Sequence, residues 1–332
     1  MSKKKTILVK ILISIIATFI LLHFVGDTTE KSIRHFYREK ICNCDTLRFK
    51  EFNDSLGVPF INYFSITGKH IGVQRNPTSI CFAADKYFND IEKNENKTKF
   101  TNCVNWLLKN GIRKDSCLFY EYNFDWVYHT KAPWRSAMAQ GLAIKTFTQA
   151  FQIFRDSVYL QKIDSILNSF LLEVDSGGIT YKESINKWWY EEYSCKNSSK
   201  PHVLNGMMYA LHGLYYNYQH TKNECALEFF NKGINSLKSN IPIYDNVNER
   251  SFYDLKGKVA DEYYHQIHVD FLKEFYKITH EKTFLNYYNK WSSISPENYL
   301  FKTISNPSKS AILIFIIIFT IIYLLISLTK RF

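Results

Sequence analysis

The chain has 332 residues, 46% hydrophobic and 17% aromatic, with a formal net charge of +11; that length suits one large domain plus small extras. Much of the excess charge (Lys3, Lys4, Lys5, Lys10, Lys330, Arg331) lies in or beside two terminal apolar runs, and every acidic residue falls between Asp27 and Glu297. The middle keeps a modest basic surplus compatible with an anionic substrate, and no basic run interleaved with aromatics argues for nucleic acid as a partner.

Lys3-Lys4-Lys5 lead into a run from Ile7 to Val25 that only Lys10, Ser14, Thr18 and His23 interrupt. It is long enough to span a bilayer, and no small-x-small cleavage site comes after it. The expectation is a cytoplasmic tail over residues 1–5 and an uncleaved anchor over 6–25. Ala311–Leu328 is almost unbrokenly apolar and ends in Thr329-Lys330-Arg331-Phe332. A buried helix of a soluble domain is rarely apolar all round for that length. It reads as a transmembrane helix over residues 310–328, followed by a tail over 329–332. Positive residues flank the outer ends of both runs, which puts both termini in the cytoplasm and residues from Gly26 to Lys309 on the other side of the membrane. That side is the periplasm or exterior of a bacterium, or the Golgi lumen of a eukaryote. Seven cysteines fit an oxidising compartment without proving one. Cys42-Asn43-Cys44 lacks the spacer of a zinc knuckle, so one or two structural disulfides near the membrane are expected rather than a metal site.

Residues 26–129 read as a stalk and a small β/α region. Val58–Phe64 has strand character, and Gly68, Gly72 and Pro77 punctuate the next stretch. Phe82, Tyr87, Phe88 and Ile91 then share a helical face, and Phe100, Val104, Trp106, Leu107 and Leu108 form the next stripe. Leu118–Tyr128 is an aromatic, strand-like run. Residues 130–300 read as the main α/α domain. Pro133 is expected at the N1 position of a helix over Trp134–Phe154, whose small residues Ser136, Ala137, Ala139 and Gly141 admit a close neighbour. Further helices are expected over Leu160–Leu172, His202–Tyr218, Cys225–Leu237, Ala260–Ile278 and Thr283–Ser292. Glu173–Tyr181 reads as a hairpin turning at Ser176-Gly177-Gly178. Paired helices with aromatic hairpins between them predict a mainly α fold, an α/α toroid or partial α/α barrel, whose cleft is lined by loops at one end of the inner helices.

Three clusters of chemically useful residues fall in those loops. They are Trp134–Gly141, Trp189–Tyr193 with Val203–Gly206, and Tyr253-Asp254-Leu255-Lys256 with Tyr264-His265-Gln266-Ile267-His268. In this order they resemble the C-terminal domain of the heparosan D-glucuronyl C5-epimerase family. That domain carries a Trp-x-Ser-Ala-Met-Ala-Gln-Gly helix start, Trp-Tyr-Glu-Glu-Tyr followed by Val-Leu-Asn-Gly, Tyr-Asp-Leu, and Tyr-His-x-x-His. The likeness covers Ala132 to Ser293. It implies that Glu192, Tyr193 and Tyr264 handle protons and that Tyr253 and Asn205 line the substrate subsite. Arginine comes after Tyr-Asp-Leu in the animal enzymes, and Lys256 stands there here. Arginine clamps a carboxylate with two bonds where lysine offers a point charge. Arg135, in place of an aromatic residue, is a candidate for the missing cation. His265 is expected to polarise the carboxylate or Tyr264, and Gln140 serves either substrate contact or helix packing. The resemblance also implies a homodimer.

The residue types suit that chemistry. Inverting C5 of a uronate means removing a proton beside a carboxylate and returning one from the other face. Glu and Tyr both need tuning by burial and neighbours to do so. Trp188 reads better as core than as a sugar-stacking ring, Glu191 as a solvated or capping neighbour of Glu192, and Asp245 and Asp254 as loop caps. His265 and His268 lack a third ligand of compatible spacing, so no metal is expected, and the chemistry requires no cofactor. The leading reading is a membrane-anchored epimerase acting on a uronic-acid polysaccharide, with bilayer lipid as its other partner. Two alternatives stay open. A polysaccharide lyase of similar fold would begin with the same proton removal but expel the C4 substituent, and a non-catalytic glycan-binding protein would exchange no hydrogen.

Overall fold

The computed structural model describes residues 3–36, 50–63, 71–196, 199–247, 249–294, 300, 303–304 and 308–328. Two compact units emerge, one formed by Met1–Thr46 with Ser295–Phe332 and the other by Leu47–Ile294. The Cys42–Cys44 segment, for which disulfides were expected, lies outside the described residues, and Cys81, Cys103, Cys117, Cys195 and Cys225 are free thiols.

The first unit is a pair of helices, α1 (Lys3–Phe36) and the last helix, α10 (Lys309–Leu328). Phe19 meets Phe315 with ring centroids 5.4 Å apart, and the Ser308 hydroxyl donates to Glu30 Oε1 (2.6 Å). Ser14 and Thr18 turn toward the helix contact and are wholly buried, their hydroxyls donating to the backbone one turn back at 2.8 and 2.7 Å. Large apolar side chains cover the outside of both helices. Both are long and apolar enough to cross a membrane, with 18-residue stretches of mean hydropathy 2.5 within Lys4–Glu30 and 3.1 within Lys309–Leu328; twenty residues at 1.5 Å rise match the ~30 Å hydrocarbon core.

The second unit starts with a three-stranded antiparallel sheet, β1 (Lys50–Asn53), β2 (Pro59–Tyr63) and β3 (Gly72–Gln74). Arg75 ties it together by donating to Val58 O (2.6 Å), Pro59 O (3.0 Å) and Asp54 (2.6 Å). Four helical hairpins come next: α2 (Pro77–Phe88) with α3 (Asn94–Asn110), α4 (Ala137–Phe154) with α5 (Val158–Phe170), α6 (Leu204–Thr221) with α7 (Glu224–Asn240), and α8 (Glu262–Thr279) with α9 (Lys282–Ser292). α2, α4, α6 and α8 pack side by side and α3, α5, α7 and α9 lie outside them, giving an arc of an α/α toroid. The sequence explains this division. α4 is buried without a break from Ala137 to Ile144 and α6 from Leu204 to Met208, whereas α5, α7 and α9 bury one face each. At the central crossing a Cβ on Gly141 would lie 2.6 Å from Ala210 Cα, and one on Gly213 would overlap the Gly141 carbonyl. Glycine is required there because the two backbones touch.

Short ribbons fill the connections: β4 (Ile112–Lys114) with β5 (Cys117–Phe119), β6 (Glu121–Tyr122) with β7 (Trp134–Arg135), and β8 (Thr180–Ser184) with β9 (Lys187–Tyr190). Two expectations are corrected. Pro133 does not open α4; Trp134 and Arg135 are drawn into β7 by Tyr122 and Glu121, and Ser136 takes the N-cap, accepting from Ala139 N (3.3 Å). The hairpin turn is not at Ser176-Gly177-Gly178, which form a 3-10 turn and its left-handed cap, but between β8 and β9. Because each hairpin returns the chain to the same end, the four inner helices run parallel and their N-termini gather on one side.

Candidate active site

A cavity of about 210 Å³ opens where those N-termini meet. α2 contributes Thr78 and Phe82, α4 Met138, α6 Asn205 and Tyr209, and α8 Tyr263, Tyr264 and Ile267. The capping residues Asn76 and Ser136 line it too. Each N-terminus carries roughly +0.5 of an elementary charge, which favours an anion, while side-chain caps take up N–H groups at three of them: Asn76 at α2, Ser136 at α4 and the Asp261 carboxylate at α8. Its apolar wall is aromatic. Tyr122 stacks on Trp134 (centroids 3.9 Å apart, planes 6° apart), and Tyr63 of β2 meets Trp126 edge-on at 5.1 Å. Asn76 clamps this wall to α2. Its Oδ1 accepts from Thr78 N (2.8 Å) and the Tyr122 hydroxyl (3.1 Å), while its Nδ2 donates to the Tyr63 hydroxyl (2.7 Å).

Glu192 and Tyr193 reach the cavity from a segment that extends β7. Arg135 N donates to Ser194 O (2.8 Å), Ser194 N to Arg135 O (2.9 Å) and Ala137 N to Glu191 O (2.8 Å). Glu192 is 8% exposed, and its Oε2 has no hydrogen-bond partner. Burial pushes its carboxyl up to about 7; the Tyr193 hydroxyl, Lys258 and Asn205 oppose the rise and Glu191 adds to it. The backbone of α6 presses on this side chain, since a Cβ on Gly206 would overlap Glu192 Cβ and Oε2. Asn205 is 2% exposed and leaves its own Oδ1 unpaired. Three phenols surround the carboxyl. The Tyr193 and Tyr253 hydroxyls are 3.3 Å apart, and the Tyr253 ring stands edge-on to Tyr264 at 4.9 Å. Burial, and then the charge of Glu192, pushes Tyr264 up to about 12; burial raises Tyr193 well above the usual tyrosine range. A carboxyl poised near neutrality and a protonated phenol thus share one cavity.

Glu192, Tyr193, Tyr264 and Asn205 all line this cavity, and Tyr253 backs it. Four other expected substrate residues do not. Arg135 points the other way, because neighbours on a strand alternate faces. Its Nε and Nη2 donate to Glu121 Oε1 (2.9 and 2.6 Å), its Nη1 to Gly177 O, and its guanidinium lies 3.6 Å over Phe119. Gln140 is buried packing: its Nε2 donates to Leu118 O (2.7 Å) and Ser169 Oγ (2.9 Å), and its Oε1 accepts from Tyr120 N (2.9 Å). His265 faces the loop before α8, where Nδ1 accepts from Ser251 N (3.1 Å) and Nε2 meets Trp291 O (3.2 Å). Lys256 sits on a turn, and its backbone N–H donates to Asp254 Oδ1 (2.8 Å).

The aromatic run before Glu192 is core. Trp188 packs on Phe229, Trp189 is stacked between His202 and Tyr244, and the Tyr190 hydroxyl donates to Phe229 O (2.6 Å). Glu191 is neither solvated nor a simple cap; it is fully buried and bonds the ring and backbone N–H (3.2 Å) of His202. Asp245 does anchor its loop, accepting from Trp291 Nε1 (3.0 Å). Burial drives His268 down to about 3, and no cluster of three metal-ligating side chains occurs among the described residues. Sequence reasoning missed the cavity residues Tyr63, Asn76 and Tyr122, which come from β2, the cap of α2 and β6; outside the lining, the exposed Lys258 holds its ammonium 4.3 Å from the Tyr253 ring centre.

Fold and cavity together define an α/α-toroid protein whose cavity holds a carboxyl among phenols, and comparison with known proteins supplies the class. Residues 114–293 match the D-glucuronyl C5-epimerase C-terminus family. The D-glucuronyl C5-epimerase of Caenorhabditis elegans is 35% identical over 159 residues, 42% of this chain and 25% of that enzyme. An uncharacterised protein of Methanocaldococcus jannaschii is 27% identical over 268 residues, 72% of this chain and 83% of its own length. Among solved structures, the GH76 α-mannanase of Bacteroides thetaiotaomicron superposes with a TM-score of 0.49 at 12% identity, covering 93% of this chain and 86% of that one. The cellobiose 2-epimerase of Bacillus thermoamylovorans gives 0.45 at 11% identity, covering 88% and 71%. The chain belongs to the D-glucuronyl C5-epimerase family and is an isomerase of the carbohydrate-epimerase kind.

Proposed function

We propose that this protein is a membrane-anchored uronyl C5-epimerase that converts D-glucuronate to L-iduronate residues in an acidic, heparosan-like polysaccharide. The observation that carries the reading is a buried Glu192 carboxyl, its Oε2 without a partner, held near neutrality in the same cavity as the protonated Tyr264. Ionised Glu192 takes the C5 proton from one face of the ring. Negative charge then spreads onto the sugar carboxylate, and the N-termini of α2, α4, α6 and α8 stabilise it. Tyr264 delivers a proton to C5 from the other face, and the resulting phenolate recovers its proton from solvent while Glu192 releases its own. Tyr193 hydrogen-bonds ionised Glu192, and Tyr253 holds Tyr193 in place. In the reverse direction Tyr264 and Glu192 exchange tasks.

The two apolar helices anchor the chain, with both termini in the cytoplasm and the catalytic unit outside it; single-cysteine labelling in intact cells or vesicles tests this orientation. Light scattering in detergent tests for the homodimer. The decisive assay incubates the detergent-solubilised full chain with heparosan in heavy water. Iduronate signals and deuterium at C5 are expected by NMR. An ultraviolet-absorbing unsaturated uronate would mean a lyase, and binding without deuterium uptake a non-catalytic protein.

A further inference from the structure

We propose that Lys258 recognises the hexuronate carboxylate and stabilises the charge that grows on it as C5 loses its proton, an assignment that rests on the epimerase reading above. A tight turn fixes the backbone of this lysine. Asp254 is 1% exposed; its Oδ1 accepts from the backbone N–H of Lys256 (2.8 Å) and Lys258 (3.2 Å), and its Oδ2 accepts from the Tyr128 hydroxyl. Tyr253 N donates to Lys258 O (2.6 Å), Phe252 bridges Val259, and Gly257 closes the turn at φ +87°, where a side chain would be strained. So held, the Lys258 ammonium lies over the Tyr253 ring, 4.3 Å from its centre. That ring is in edge contact with Tyr264, and its hydroxyl meets Tyr193. The Lys258 charge also favours the ionised form of Glu192.

Three other cations on the surrounding elements are committed elsewhere. Arg135 pairs with Glu121, Lys200 with Asp175 and Lys145 with Asp85. Lys258 forms no ion pair among the described residues, and an aromatic face is a weak resting place that a carboxylate outcompetes. Its flexible stem also suits the reaction. Inverting C5 swings the carboxylate relative to the ring, and a point charge on four methylenes can track it where a rigid fork cannot.

The test uses the detergent-solubilised full chain on heparosan, with kcat, KM and C5 deuteration measured for wild type, K258A, K258R and K256A across pH. K258A is expected to lower kcat by about 100-fold or more, the scale for removing one group that stabilises developing charge. KM should rise less than kcat falls, and the acidic limb of the profile should move to higher pH. K258R should recover to within about tenfold of wild type, and K256A should lose at least about tenfold less than K258A. On methyl-esterified heparosan, whose carboxyl carries no charge, wild type and K258A should differ by less than about threefold. An active wild type with K258A matching K256A, or an unmoved acidic limb, overturns the assignment alone. A wild type that exchanges no hydrogen on heparosan overturns the epimerase reading and this assignment with it.

Discussion

Replacing Glu192 with glutamine should make the fold more stable at alkaline pH while abolishing proton transfer. The carboxyl titrates at 4.5 when unfolded and at about 7 in the fold, with burial as the main cause. A carboxyl raised on folding works against the fold once it ionises. Below pH 4.5 it is protonated in both states and contributes nothing. Between 4.5 and 7 the folded chain holds a proton that the unfolded chain has lost, so stability falls as pH rises. Above 7 the full penalty is present, about 3 kcal/mol for this displacement. E192Q lacks that penalty, and the assay is urea unfolding of both proteins in detergent, once at about pH 4 and once at about pH 8. The stability gap between E192Q and wild type should shift by about 3 kcal/mol in favour of E192Q at the higher pH. Parallel stabilities at the two pH values would refute the claim that Glu192 is desolvated, and with it the account of how a carboxyl becomes a useful base here. In wild type, kcat/KM should climb with pH through a midpoint near 7, as the free enzyme's base ionises.

The geometry sets three further outcomes. Y264F should abolish C5 deuterium exchange on heparosan while moving Tm by less than about 2 °C, since it removes one hydroxyl from a half-buried ring. G206A should lower kcat by about 100-fold, because the added Cβ drives Glu192 from its position; wild-type turnover would show that the carboxyl relaxes freely. R135A should destabilise the fold by about 3 kcal/mol in urea titrations, stranding the part-buried Glu121 carboxylate, yet leave KM for heparosan unchanged; a large KM rise would return Arg135 to the substrate site.

How much of this was legible in the sequence depended on distance along the chain. Apolar stripes identified the helical pairs, and the family resemblance of short motifs pointed to Glu192, Tyr193 and Tyr264, which the fold gathers on one cavity. Orientation within extended segments was not legible. Trp134 and Arg135 are neighbours, and only the register with Tyr122 and Glu121 decides which of them faces the cavity. Lys256 and Lys258 are both exposed, and the turn that Asp254 and the φ of Gly257 define sets where each starts. Tyr63 and Asn76 were invisible as site residues because the N-terminal sheet reaches the cavity through long-range packing that no local pattern encodes. Four helix N-termini converging on one place is a property of the hairpin repeat, absent from any single motif.

The contact of Gly141 with Ala210 and Gly213 has a consequence for how this scaffold can change. Two backbones in direct contact cannot slide or rotate independently, so α4 and α6 behave as one rigid chassis on which Ser136, Asn205 and Gly206 are mounted. Natural variation and laboratory selection aimed at new polymers should therefore accumulate in the peripheral pieces, namely the N-terminal sheet, the 251–260 turn and the flank of α8, while the central pair stays fixed.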